Sequence, residues 1–193
     1  MPVLIGKTIE SDYTNPLGLL SDCHRRIERF LNLLFTVVSQ ATEAKLRTEE
    51  RQALATALRY FREAAPKHTR DEEESLFPRL RASQNPQAQA AFSMLDTLHE
   101  DHETADISHQ QVEVLCLQWL SDDYLQEESR NRLSQLLTGL KSIYERHIAV
   151  EDTQIFPLAR KILNASQLQS IASEMASRRG IELSAYANPQ NFS

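Results

Sequence analysis

Hydrophobic residues return along most of this chain at alternating steps of three and four, the period of a helix that buries one stripe. Over residues 16–44 the stripe is Leu17, Leu20, Ile27, Leu31, Leu34 and Val38. A second helix is expected from Thr48, where Thr48-Glu49-Glu50-Arg51-Gln52 reads as a cap followed by first-turn acids. It carries Leu54, Leu58, Phe61 and Ala65 and continues to Leu76. Pro66 and Pro78 fall inside it and each removes a backbone donor, so the expectation is a bent but continuous helix. Residues 83–86 read as a turn. A third helix over about residues 87–120 presents Leu95, Leu98, Ala105, Val112, Cys116 and Trp119. After the loop Ser121-Asp122-Asp123 a fourth, to about residue 163, presents Leu133, Leu136, Leu140, Ile143, Gln154 or Ile155, and Leu158. A short fifth helix over about residues 166–178 stops at Gly180. The pattern predicts an all-α protein: an up-down-up-down four-helix bundle over residues 16–163. An N-terminal arm (1–15) precedes it, and a short helix with a tail (164–193), poorly ordered at its end, follows.

Each stripe is interrupted by groups that do not belong in a core. The first contains His24, the second His68 and Glu72, the third His102, and the fourth His147 and Glu151. The second and fourth interruptions lie in copies of one another. Residues 68–78 read HTRDEEESLFP and residues 147–157 read HIAVEDTQIFP, both fitting His-x-x-x-Glu-acid-x-x-aliphatic-Phe-Pro. The repeat implies that helices two and four play equivalent parts in a two-fold related bundle. Residues four apart project from one helix face, so each copy presents an imidazole and a carboxylate together on an apolar seam. Such groups are costly to bury without partners.

The spacing brings the interruptions to one level. His24 to His68 spans 44 residues and His102 to His147 spans 45, each the length needed to run up one long helix and return. Four imidazoles and two carboxylates in one buried layer find their natural resolution in metal. Mixed nitrogen and oxygen donors suit iron, manganese or zinc. Two acids that can bridge, with two imidazoles per ion, suit a pair of ions.

Composition narrows the partners. The net charge of −6 disfavours nucleic acid. Two cysteines, Cys23 and Cys116, without CxxC spacing make a disulfide framework improbable and fit a reducing compartment. No apolar stretch reaches the roughly 20 residues of a membrane span, and MPVLIGKTIE is not a signal peptide, so a cytoplasmic location with no membrane partner is expected.

Taken together, His24 in DCHRRIERFL, the two H-x-x-x-E-[ED]-x-x-[LI]-F-P segments and His102 in EDHETADISH resemble the hemerythrin-like family, the HHE cation-binding domain, over residues 16–163. The resemblance implies two non-haem iron ions, oxo- or hydroxo-bridged, inside the bundle. His24, His68, His102 and His147 would be terminal ligands, with Glu72 and Glu151 bridging. The oxygen carriers of the family place two histidines four apart on the third helix. Here they are His99 and His102, three apart, with only His102 on the seam. The chain thus looks closer to the symmetric four-His, two-carboxylate proteins implicated in iron–sulfur cluster repair and in nitric oxide or oxidative stress. The implied function is binding, sensing or responding to O2, NO or peroxide, or iron handling under stress, with an unidentified protein redox partner. A di-iron enzyme (peroxidase or NO reductase), a repair factor and a metal-free interaction module are the alternatives.

The remaining polar residues have plainer readings. His99 is expected to flank the site. His109, two turns beyond His102, is expected to be buried near Leu31, Phe61 and Leu140 and bonded by Tyr144 or Tyr60. Glu73 and Asp152, about 100° away from the ligand acids, are expected at the surface or pairing between helices. Glu28 is either a hydrogen-bond acceptor for an imidazole or a solvated acid, Cys23 a packing residue, and the outer members of residues 71–74 a solvated face.

Overall fold

In the computed structural model, which describes residues 11–40 and 45–183, four long helical runs form a closed bundle. The first is α1 (Pro16–Gln40), started by Asn15, whose side chain accepts from the Gly18 N–H at 3.1 Å. The second is built from α2 (Thr48–Glu63), α3 (Ala65–Arg70), a π-helical turn π1 (Asp71–Leu76) and α4 (Phe77–Arg81). After the short α5 (Pro86–Ala90) comes the third, α6 (Phe92–Asp122). The fourth joins α7 (Glu127–Val150), a second π turn π2 (Glu151–Ile155) and α8 (Phe156–Ile162). Helix α1 packs on α2 and α7, and α6 packs on α7 and α2, which closes the ring. The fifth expected helix is α9 (Ala165–Arg178), ending at Gly180 with φ 68° and lying against π1 and α1. Among the described residues no helix is long and apolar enough to cross a membrane.

The prolines act where expected but in an unforeseen way. A proline ring collides with the carbonyl four residues back. Upstream of both Pro78 and Pro157 the helix answers by opening one turn to i→i−5 bonding rather than by a simple bend. The Phe77 N–H bonds Glu72 O, and the Phe156 N–H bonds Glu151 O. The chain thus stays helical while each opened turn starts beside a seam glutamate. Pro66 has a milder effect: Ala64 leaves the helix for one residue between α2 and α3.

Other differences are small. The first-turn acids of α2 are used as expected, but the cap is Arg47, whose N–H donates to Glu50 Oε2 at 2.8 Å. Val37 rather than Val38 takes the last core position of α1, because an ideal helix drifts from a strict seven-residue repeat. Ile143 is half-buried, and Ile155, not Gln154, holds the core position in π2. The third expected helix divides at Ala91 into α5 and α6. The end of the first helix beyond Gln40, most of the N-terminal arm and the tail beyond residue 183 lie outside the described residues.

The core falls into two apolar clusters with the polar layer between them. One contains Ile27, Ala65, Ala105 and Leu140, and the other Leu20, Leu76, Leu98 and Ile155. On all four seams, a histidine separates a member of one cluster from a member of the other: Leu20–His24–Ile27, Ala65–His68–Leu76, Leu98–His102–Ala105 and Leu140–His147–Ile155. Antiparallel helices of matched length thus set six polar groups at one height.

Candidate metal centre

The layer is built around Glu72 and Glu151, both fully buried. His68 Nε2 lies 3.3 Å from Glu72 Oε1, and His102 Nε2 lies 3.3 Å from Glu72 Oε2. His147 Nε2 lies 3.1 Å from Glu151 Oε2. His24 Nε2 reaches both acids, at 3.0 Å from Glu151 Oε2 and 3.7 Å from Glu72 Oε1. All six sequence-predicted residues therefore converge. They divide into two groups of four, His24, His68, Glu72 and Glu151, and Glu72, His102, His147 and Glu151. Within each group one donor atom per residue lies within 4.8 Å of the others.

These contacts do not satisfy the layer by hydrogen bonding. All four carboxylate oxygens of Glu72 and Glu151, and His24 Nε2, lack a partner of hydrogen-bond geometry despite their short separations. Buried acceptors left this way are costly. A cation supplies what they lack, since imidazole nitrogens and carboxylate oxygens turned to a common centre are the donor set of a divalent metal. The residues present fit cation binding, in two groups of four donors that have both carboxylates in common.

Three of the four outer ring nitrogens face acids of their own, and that of His68 has none among the described residues. His24 Nδ1 lies 3.2 Å from Asp152 Oδ1, and His102 Nδ1 lies 2.8 Å from Glu73 Oε1. His147 Nδ1 faces Asp101 Oδ2 at 3.6 Å, and Asp101 is in turn paired with Arg146. Carboxylates in this place orient an imidazole and raise its basicity toward a metal. Glu73 and Asp152 thus pair between helices, one of the two roles expected of them, and their partners are the site's own imidazoles. An acid following both seam glutamates was the available signal. Glu28 is exposed, and the acceptor beside His24 is Asp152. Asp101 and Arg146 left no trace in the pattern.

The two copies exchange support. Phe77 stacks on His102 with ring centroids 6.3 Å apart, and Phe156 stacks on His24 at 5.4 Å. Glu73 also turns to His102 and Asp152 to His24. Each motif therefore braces the imidazole on the other hairpin's first helix.

The electrostatics follow from burial set against these acids. Burial alone would lower His24, but Asp152, Glu151 and Glu72 together hold it well above the usual imidazole value. Burial opposes protonation of His102 too, and Glu72 and Glu73 override it, to about 10. Burial dominates at His68, pushed down to about 4 against the pull of Glu72. Burial would raise Glu72, but His68, His102 and His24 hold it well below the carboxylate range. Glu151 is likewise lowered by His147 and His24 against burial and the charge of Glu72.

Around the layer, His99 is exposed and flanks Glu73 at 3.1 Å, as expected. His109 stacks on Phe61 at 4.3 Å between centroids and bonds Tyr144 Oη at 2.9 Å, so it belongs to the core beyond the site. Cys23 is a buried free thiol that accepts from Arg26 at 3.1 Å.

This geometry agrees with the comparisons. Residues 15–159 match the model of the hemerythrin HHE cation-binding domain, and the chain belongs to that family. It is also 28% identical over 171 residues to an uncharacterized protein of Haemophilus influenzae, covering 88% of this chain and 93% of that one.

Proposed function

We propose that the protein holds two iron ions through His24, His68, Glu72, His102, His147 and Glu151, and uses them to bind or sense O2, NO or peroxide. The observation that carries this reading is the division of one buried layer into two groups of four donors that share both carboxylates. A ferrous pair supplies electrons and coordination positions to a small oxidant or to NO. The chain's residues do the rest. Glu72 and Glu151 would hold both ions and offset their charge, while Asp152, Glu73 and Asp101 face the outer nitrogens of three imidazoles and orient them. The apolar clusters on both sides keep bulk water from the layer.

A cavity of about 190 Å³ abuts the site at His147. Met94, Leu98 and Val150 give it apolar walls, and the Asp101–Arg146 pair lies at its edge. Its size and lining suit a small uncharged molecule better than a metabolite. The test is metal analysis of anaerobically purified protein with absorption spectra before and after air or NO. About two irons per chain and a near-ultraviolet band on oxidation are expected. Colourless, iron-free protein that refuses ferrous iron under anaerobic loading overturns the reading.

A further inference from the structure

The two π turns are alike in backbone but not in what holds them. Asp71, the first residue of π1, is fully buried and directly precedes Glu72. Its carboxylate takes two guanidinium groups from the end of α9, those of the last residue, Arg178, and of Arg179, which follows it. Arg178 Nη1 donates to Oδ1 at 2.9 Å, and Arg179 Nη2 donates to Oδ2 at 2.6 Å. Arg178 also reaches Glu74 Oε2 at 3.1 Å. At the far end of the turn, Arg79 donates to Ser75 O at 2.7 Å and pairs with Glu174 of α9 at 2.6 Å. Both ends of π1 are thus tied to one helix. The corresponding positions of the second copy are Val150 for Asp71 and Leu158 for Arg79, which can form neither tie. Helix α9 lies beyond residues 15–159, the stretch matched to the family domain.

A π turn is rare beside the α-helix it interrupts and persists where its surroundings hold it open. Glu72 lies within π1, so the direction of its carboxylate depends on that turn. A buried carboxylate that loses its guanidinium partners is strongly destabilised where it stands, so the segment carrying it must rearrange. We propose that α9 is a positioning clamp for the metal centre: through Asp71 and Arg79 it holds open the turn that aims Glu72 at both ions. Asp71, Arg178 and Arg179 are positioning residues in this device. Glu72 is shared by both donor groups, so opening the clamp loosens both ions.

The proposal rests on the two-ion reading above, and its test separates the two. Full-length Asp71→Asn, Arg178→Gln/Arg179→Gln and the triple variant are compared with wild type and with Met175→Ala. The Met175 side chain is buried on α9 and takes part in neither ion pair, and its carbonyl, which accepts from Arg179 at 2.7 Å, is kept in the alanine variant, so truncation weakens the helix's packing alone. The first readout is amide hydrogen exchange in metal-free protein. Exchange over residues 72–77 is expected to rise by at least about tenfold in the clamp variants, while residues 151–156 stay at the wild-type rate. The second is iron release to a ferrous chelator well below Tm, expected to be at least about tenfold faster. The triple variant should add little to either double or single variant, because all three remove one interaction. Met175→Ala, matched for loss of Tm, should reproduce neither effect. Unchanged exchange over residues 72–77, or equal effects from Met175→Ala, overturns the clamp. Wild-type protein that takes up no iron overturns the metal reading instead, and the exchange measurement still decides the clamp.

Discussion

The sharing of Glu72 and Glu151 predicts that iron content falls in steps set by which residue is removed. His68 belongs to one group of four donors, whereas Glu72 belongs to both. His68→Ala therefore leaves one group complete, and Glu72→Gln, which keeps the side-chain volume, damages both. Free metal at a hundredfold over its dissociation constant stabilises the folded chain by about 2.7 kcal/mol per site. In a chain of this size each kcal/mol raises Tm by about 2–4 °C, so two filled sites raise it by about 10–20 °C and one filled site by about half as much. The assay is anaerobic ferrous loading and desalting, then iron per chain by mass spectrometry and Tm with and without a chelator. Wild type should hold about two ions, His68→Ala about one, and Glu72→Gln fewer than His68→Ala, with the chelator-sensitive part of Tm falling in the same order. Equal iron loss in the two variants would refute the shared-carboxylate arrangement. A wild-type Tm indifferent to iron would remove the link between the ions and the core.

Three further outcomes follow from features around the layer. Asp152→Asn and Glu73→Gln should each weaken iron binding by about 10–100-fold while leaving the saturated iron count unchanged, measured by competition with a chelator. Burial holds His109 down at about 4, below its unfolded value of 6.5, so the fold favours the neutral ring. Its contribution is fully present above pH 6.5 and is lost as pH falls toward 4, a change of about 3 kcal/mol that His109→Phe should remove from urea-unfolding profiles of metal-free protein. Trp119→Ala, in the cluster remote from the opened turns, should cost about 3–5 kcal/mol in thermal unfolding without lowering the iron count.

The seams and the six polar interruptions were legible because they are periodic. A histidine in place of a leucine stands out against a step of three and four, and the register also separated His102 from His99. Longer-range pairing leaves no such mark. Asp71 sits in an acidic run that reads as a solvated face, yet it is fully buried, because its partners Arg178 and Arg179 arrive from a helix more than a hundred residues later. Asp101 and Arg146 were silent for the same reason. The prolines signalled a disturbance at the right places, but their residue type alone does not say whether the helix bends, breaks or widens. The outcome depends on what packs around the turn.

The exchange of support between the two motifs has a consequence for how such a site can arise. The contacts that the two motifs make on histidines of the opposite half answer one another: Phe77 and Glu73 on His102, Phe156 and Asp152 on His24. That reciprocity is the signature of an isologous interface. A chain of half the length, meeting its own copy about a two-fold axis, would reproduce all six donors without any new residue. A covalent link between the halves leaves each free to differ, and Asp71 opposite Val150 is a position where they do.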